Sequence, residues 1–194
     1  MKDWTGNKRT TFASLGASSH ADHEREKHDY YATDPIAVNG LFEHIEFVND
    51  IWECACGEGH LSKAMIEKGK NVKSTDLIDR GYGIGAVDFL KDPDIRTEYD
   101  IVTNPPFKYA MKFAEKSIKL TKSKVALFLR IQFLEGIERK AFFKKHPPKY
   151  VLVASKRIAC AINGEFTGAS SAACYAWFVW DIEHQGETTI KWFG

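Results

Sequence analysis

A strand that is forced to stop constrains this chain more than any other feature. In Asp100-Ile101-Val102-Thr103-Asn104-Pro105-Pro106-Phe107 an apolar run meets two prolines. Proline has no N–H to give a sheet ladder, so the strand must end at Asn104. Pro105 also biases Asn104 towards extended angles and away from helical ones. An amide side chain and an aromatic ring are thereby held at the carboxyl end of a strand, where open α/β sheets bind their ligands. A strand running into a proline-rich turn would read the same way, so the flanking segments carry the decision.

Upstream, Ile51-Trp52-Glu53-Cys54-Ala55-Cys56 reads as a buried strand and Gly57-Glu58-Gly59 as a tight turn. His60 to Lys68 follows as a helix closed by Gly69. Strand, glycine turn and helix make the first half of a βαβ unit. Glycine admits positive φ and a close approach of backbone to ligand, although a tight strand–helix turn also uses it for structure alone. The next strand, Val72 to Ile78, carries Asp76, 23 residues after Glu53. Nucleotide-binding α/β folds place a ribose-gripping carboxylate at about that spacing. A three-glycine loop covers 79–85, and Val87-Asp88-Phe89-Leu90 is a short strand end or turn. Ahead of this unit, Asp34-Pro35 starts a helix expected to reach Phe47.

Downstream, Tyr109 to Leu120 is a helix, and Lys108, Lys112, Lys116 and Lys119 fall on a face away from its apolar one. That face suits phosphates, and it equally suits plain solvent. Lys124 to Phe133 reads as a fully buried strand. A basic helix from Gly136 to His146 is stopped by Pro147-Pro148, and Tyr150 to Ala154 is another strand. After a small-residue loop over 157–173, Cys174–Ile182 and Thr188–Phe193 are expected to pair as a hairpin turning at Gln185-Gly186. The alternation predicts an α/β fold: a mostly parallel sheet, helices on both faces and a C-terminal antiparallel hairpin. Residues 1–29 are polar, without an apolar period, and read as a mobile arm. Residues 30–194 read as one domain.

Composition narrows the class further. With 194 residues, 44% of them apolar, the chain can bury one real core. No apolar run reaches the length of a membrane span and the start lacks a signal-peptide core, so a cytoplasmic protein is expected. The four cysteines form no Cys-x-x-Cys pair, and no metal site is expected. Residues 1–100 carry 12 Lys and Arg against 19 Asp and Glu, a net −7; residues 101–194 carry 15 against 7, a net +8. The basic half points to a polyanionic partner.

Taken in order, Tyr31-Ala32-Thr33, the glycine loop Glu53 to Gly59, Asp76, Asp88-Phe89 and Asn104-Pro105-Pro106-Phe107 resemble a known set of motifs. The chain looks like a class I, Rossmann-like methyltransferase of the adenine-N6 type, dependent on S-adenosylmethionine, as found in bacteria and their phages. The likeness runs from about Tyr30 to Gly194. Two positions depart from the commonest pattern: Glu53 stands where many relatives have Asp, and Phe107 where many have Tyr. The long insert or appended domain of sequence-specific DNA enzymes is also missing.

The resemblance implies roles for each motif. Asn104 and the Pro105 carbonyl would accept hydrogen bonds from the target amine and Phe107 would stack on the base, with Pro106 in the same catalytic run and Asn104 also among the cofactor contacts. Tyr31 and Thr33 would cover the methionine end of S-adenosylmethionine, with Glu53, Cys54, Gly57 and Gly59 along its methionine and ribose. Asp76 and Leu77 would meet the ribose, and Asp88 and Phe89 the cofactor's adenine; Asp88 also suits a simple turn carboxylate. Nucleic acid is the implied partner, DNA ahead of RNA, with a further partner for target recognition. RNA adenine methylation, glutamine-N5 methylation of a protein, and an inactive nucleic-acid-binding module are the competing readings.

Overall fold

The computed structural model describes residues 31–158, 160–162 and 173–194. The expected arm over 1–29 and most of the expected loop over 157–173 lie outside the described residues. In chain order the strands are β1 (Tyr31–Thr33), β2 (Asp50–Glu53), β3 (Asn71–Ser74), β4 (Asp100–Thr103), β5 (Lys124–Arg130), β6 (Tyr150–Ala154), β7 (Cys160–Ile162), β8 (Tyr175–Asp181) and β9 (Thr189–Phe193). The α-helices are α1 (Ile36–Phe42), α2 (His60–Glu67), α3 (Ala110–Leu120) and α4 (Ile137–Lys145).

Seven strands form one sheet in the order β3-β2-β4-β5-β8-β6-β9. Neighbours are parallel except at β8, which runs antiparallel to both β5 and β6. Strands β1 and β7 make a separate antiparallel ribbon, with Thr33 opposite Cys160. This is the expected α/β class, mostly parallel with an antiparallel C-terminal part.

The sheet is central because its strands are apolar on both faces. Along β8 the residues Tyr175, Trp177 and Val179 join the core layer under α1 and α2, while Ala176, Phe178 and Trp180 join the layer under α3 and α4. Strand β5 divides the same way, Ala126 and Phe128 to one layer and Val125, Leu127 and Leu129 to the other. That two-residue alternation is the pleat itself. The Trp177 indole N–H donates to the Ala37 carbonyl at 2.8 Å and fastens α1 to the sheet. Asp100, fully buried at the start of β4, accepts from the backbone N–H groups of Val48 and Lys124, both at 2.7 Å.

Four expectations need correction. Helix α1 ends at Phe42 rather than Phe47. Ile45 and Phe47 are still buried, but from an extended segment held by Val48 N–H on Asp100 and by Lys70 Nζ on the Phe47 carbonyl at 2.8 Å. The strand expected to reach Phe133 stops at Arg130, and Ile131–Leu134 is a 3-10 turn. Phe133 turns back onto the sheet there and meets Phe178 edge-on at 5.3 Å. The loop over 157–173 contains β7. Finally, the last two strands do not pair with each other as a hairpin: β9 lies parallel to β6, and β6 stands between β9 and β8. Strand β8 is buried on both faces and takes an interior place, whereas β9 exposes Ile190 and Trp192 and takes the edge.

Candidate functional site

Chain connections from β2 and β4 leave on opposite sides of the sheet, β3 lying beyond one and β5 beyond the other. Such a switch point opens a crevice at the carboxyl ends of the strands. A cleft of about 1400 Å³ is found there. It is bordered by Thr33, Glu53, Cys54, Asp76, Leu77, Asp88, Phe89 and the run Asn104-Pro105-Pro106-Phe107. Gly57 and Gly59 do not border it. Tyr31 is placed through its backbone, in β1 opposite Ile162.

Asn104 follows directly on β4 and is partly buried. Its amide nitrogen donates to the Thr33 hydroxyl at 2.7 Å, a contact between positions 71 residues apart. The short ribbon β1–β7 therefore exists where it can brace the end of β4. With nitrogen given to Thr33, the Asn104 amide oxygen is turned away from that residue. Pro105 is buried, Pro106 begins a 3-10 turn, and Phe107 is half-buried. The Arg130 guanidinium carbon lies 4.4 Å from the Phe107 ring centroid, and the Tyr175 ring lies at 6.1 Å.

Glu53 closes β2 and is 1% exposed. The Ser62 hydroxyl of α2 donates to its carboxyl group, and Ser62 in turn shares a 2.6 Å bond with the Ser74 hydroxyl. Burial pushes the Glu53 carboxyl up to about 8; the bonds from Ser62 pull the other way, and the Asp76 charge adds to the rise. Burial also raises the Cys56 thiol to about 12 and the Cys54 thiol well above its ordinary value, so both stay neutral.

The glycine loop is tied to the next strand. Gly57 has φ 54° and donates its N–H to Asp76 Oδ2 at 2.8 Å, while Ile78 N–H reaches Asp76 Oδ1 at 2.9 Å. Gly59 has φ 80°, and a Cβ there would fall 2.2 Å from the Tyr82 ring. The loop thus needs Gly59 to let Tyr82 close over it.

Asp88 closes a turn by accepting from Leu90 N–H at 3.1 Å, and Lys91 Nζ lies 3.1 Å from it. Partial burial works against the charge, but the Lys91 and Leu90 bonds outweigh it and hold the carboxyl below its ordinary value. Phe89 is buried, stacked on Phe113 at 4.9 Å with Trp52 edge-on at 5.3 Å. Lys108, Lys112, Lys116 and Lys119 all border the cleft. Asp94 holds Lys116 at 3.2 Å and Lys119 at 2.5 Å. Among the described residues no group of three or more His, Cys, Asp and Glu is placed to hold a metal ion, and no helix is long and apolar enough to cross a membrane.

Three contributors were not singled out from sequence: Ser62, Tyr82 and Arg130. Arg130 had a usable signal, since it ends the apolar run of β5 as Asn104 ends that of β4. Tyr82 lay between two glycines, and nothing local ties it to Gly59.

No protein-family model matches the chain, and no curated protein matches it. Solved structures do. A protein from Listeria monocytogenes, provisionally named a class I S-adenosylmethionine-dependent methyltransferase, superposes with TM-score 0.58 at 13% identity, covering 94% of this chain and 71% of its own. A modification subunit of a provisionally assigned type I restriction enzyme from Vibrio vulnificus YJ016 gives 0.57 at 13%, covering 93% of this chain. This chain spans about half of that subunit, 48%. A predicted O-methyltransferase from Agrobacterium tumefaciens gives 0.56 at 12%, covering 82% and 85%. With the sheet order and the cleft at its switch point, these likenesses establish that the chain has the Rossmann-like fold of the class I methyltransferases.

Proposed function

We propose that the protein is an S-adenosylmethionine-dependent methyltransferase acting on the N6 amine of adenine in DNA. The observation that carries this reading is the anchored amide of Asn104. Its nitrogen is committed to Thr33, which leaves the oxygen as the end that accepts. The Pro105 carbonyl is the second acceptor, because proline brings a carbonyl and no N–H. An exocyclic amine on adenine is a poor nucleophile while its lone pair is delocalised into the ring. Two acceptors on its two N–H groups draw the nitrogen towards tetrahedral geometry, and their fixed dipoles stabilise the positive charge that develops. Phe107 offers its ring to a base taken out of the stack.

S-adenosylmethionine is the expected cofactor and supplies an electrophilic methyl group when bound. The residues present suit it. The cleft of about 1400 Å³ exceeds the roughly 300–1000 Å³ of ordinary small-molecule pockets, which leaves room for a base beside the cofactor. Glu53 and Asp76, at neighbouring strand ends, border the cleft and are assigned to methionine and ribose groups, Asp76 as a carboxylate acceptor and Glu53 as a carboxyl group that keeps its proton, with Cys54 and Leu77 beside them. Asp88 and Phe89 border the same cleft and are assigned to the cofactor's adenine. Tyr31 and Thr33 are assigned to the methionine end, and Gly57 and Gly59 act by holding Asp76 and Tyr82 in position.

A polyanionic substrate is favoured by the net +8 of residues 101–194 and by the lysines along the cleft, and DNA is the polyanion proposed. The likeness to a type I modification subunit and to a type I restriction-modification assembly supports the same substrate, with a partner for target recognition. The localisation proposed with such a substrate is the cytoplasm. The test is transfer of labelled methyl from S-adenosylmethionine to DNA, RNA and protein in parallel, followed by nucleoside and amino-acid analysis. N6-methyladenine in DNA is expected. Label in RNA alone, methylglutamine or a methylated cytosine overturns the proposal.

A further inference from the structure

The segment that follows β5 presents an apolar tip on a rigid base. Ile137 is 90% exposed and Leu134 44%. Single exposed aliphatics are ordinary on protein surfaces. Here Leu134, Ile137 and Phe143 line one shallow groove with Lys140 and Lys144 on its rim. Gly136, at φ 119° and ψ 150°, sets a backbone turn just before the tip. Arg139 reaches back to donate to the carbonyls of Gln132 at 2.8 Å and Glu135 at 3.2 Å, and lies over the Phe133 ring at 5.1 Å. Phe133 is itself buried against Phe178 and Phe143. The segment is therefore braced through Phe133 and Arg139, while Ile137 stands out from it.

Its position relates it to the cleft. The segment begins at Arg130, which borders the cleft and covers Phe107. Ile137 lies seven positions beyond Arg130, and four of the six residues between them are in a 3-10 turn. At about 2 Å per 3-10 residue and about 3.4 Å per extended one, the tip lies within roughly 20 Å of the cleft edge. The segment Arg130–Lys144 carries Arg130, Arg139, Lys140 and Lys144 against Glu135 and Glu138, a net +2, and an apolar tip on a basic segment suits a surface that is anionic outside and apolar within. A nucleic-acid duplex is such a surface, and proteins that unstack it insert aliphatic wedges between base steps.

We infer that the segment Arg130–Lys144 engages a DNA duplex and that Ile137 enters the base stack beside the target adenine as it leaves the helix. The inference rests on the proposed adenine methylation, and it adds the form of the substrate and the residue that opens it. Lys140 and Lys144 meet the flanking phosphates, and the aliphatic side chain fills the space the base vacates.

The test compares wild type, Ile137→Ser and Ile137→Leu on three substrates built around the site mapped for wild type. These are a matched duplex, the same duplex with the target adenine mismatched, and the single strand. Extrusion is least costly for mismatched or unpaired bases, so Ile137→Ser should lose about tenfold or more in kcat/KM on the matched duplex and little on the other two. Ile137→Leu should keep wild-type behaviour. Equal rates for Ile137→Ser and wild type on the matched duplex overturn the wedge, as does an equal loss on all three substrates. A wild-type protein that methylates single strands alone overturns it too, while leaving adenine methylation standing. Failure of wild type to methylate any nucleic acid sinks the proposed function, and the wedge with it.

Discussion

Asn104 and Glu53 stand at the ends of adjacent strands, and their side chains are held in opposite ways. Asn104 is held through its bond to Thr33, and its proposed work is confined to the chemical step. Asn104→Ala should therefore lower single-turnover methyl transfer by about 10² or more, by analogy with losing one preorganised oxyanion-hole group. Cofactor affinity measured by calorimetry should hardly change. Transfer at the wild-type rate would rule out the acceptor role. Glu53 is held by burial, which sets its titration. Unfolded, the carboxyl ionises near 4.5; folded, it keeps its proton to about 8. Between those values the unfolded chain has shed a proton that the folded one retains. Stability is undiminished by this group below about pH 4.5 and falls as pH rises towards 8, by up to roughly 1.4 kcal/mol per unit. Glu53→Gln should remove that slope. Melting temperatures from pH 5 to 8 that run parallel in the two proteins would show Glu53 ionised in the fold.

At the scale of elements, the lysines of α3 and of the 3-10 turn before it fall into two pairs. Asp94 holds Lys116 and Lys119, and Lys108 and Lys112 stand nearer Phe107 in the chain, so phosphate contact beside the target base is assigned to these two by position. Replacing Lys108 and Lys112 with Ala should weaken DNA binding on every sequence and flatten the log–log salt slope by about two. Replacing Lys116 and Lys119 should flatten it less. Equal slopes for wild type and the Lys108/Lys112 variant would return that face to solvent. The same helix was legible in the sequence, as were α2, β4 and the site run Asn104–Phe107, because proline, glycine and apolar period mark them locally. What the sequence hid is set by distant partners. The bond from Asn104 to Thr33 and the cover of Tyr82 over Gly59 are of this kind. Ile45 follows Leu41 at a helical spacing and its N–H still bonds to the Leu41 carbonyl at 3.0 Å, yet the Asp100 carboxylate takes the Val48 N–H and no helix continues to Phe47.

Across the whole molecule, β8 is the strand on which both core layers meet. Trp177 is fully buried, packs on Phe128 at 4.9 Å and bonds to Ala37. Trp177→Ala should cost about 3–5 kcal/mol, read by urea denaturation. A loss under 1 kcal/mol would mean that the layer under α1 can collapse into the vacancy. Insertion of β8 between β5 and β6 also has a consequence in time. A chain emerging from the ribosome makes β5 and then β6, but these two are never neighbours. Each keeps an open edge until residues 175–181 arrive to lie between them. Until then β5 carries one unpaired edge and β6, whose other neighbour β9 comes later still, carries two, the kind of surface on which chains join one another. Closure of the sheet is thus a late event, and a ribosome stalled after Ala154 would hold a half-built sheet that a chaperone must shield.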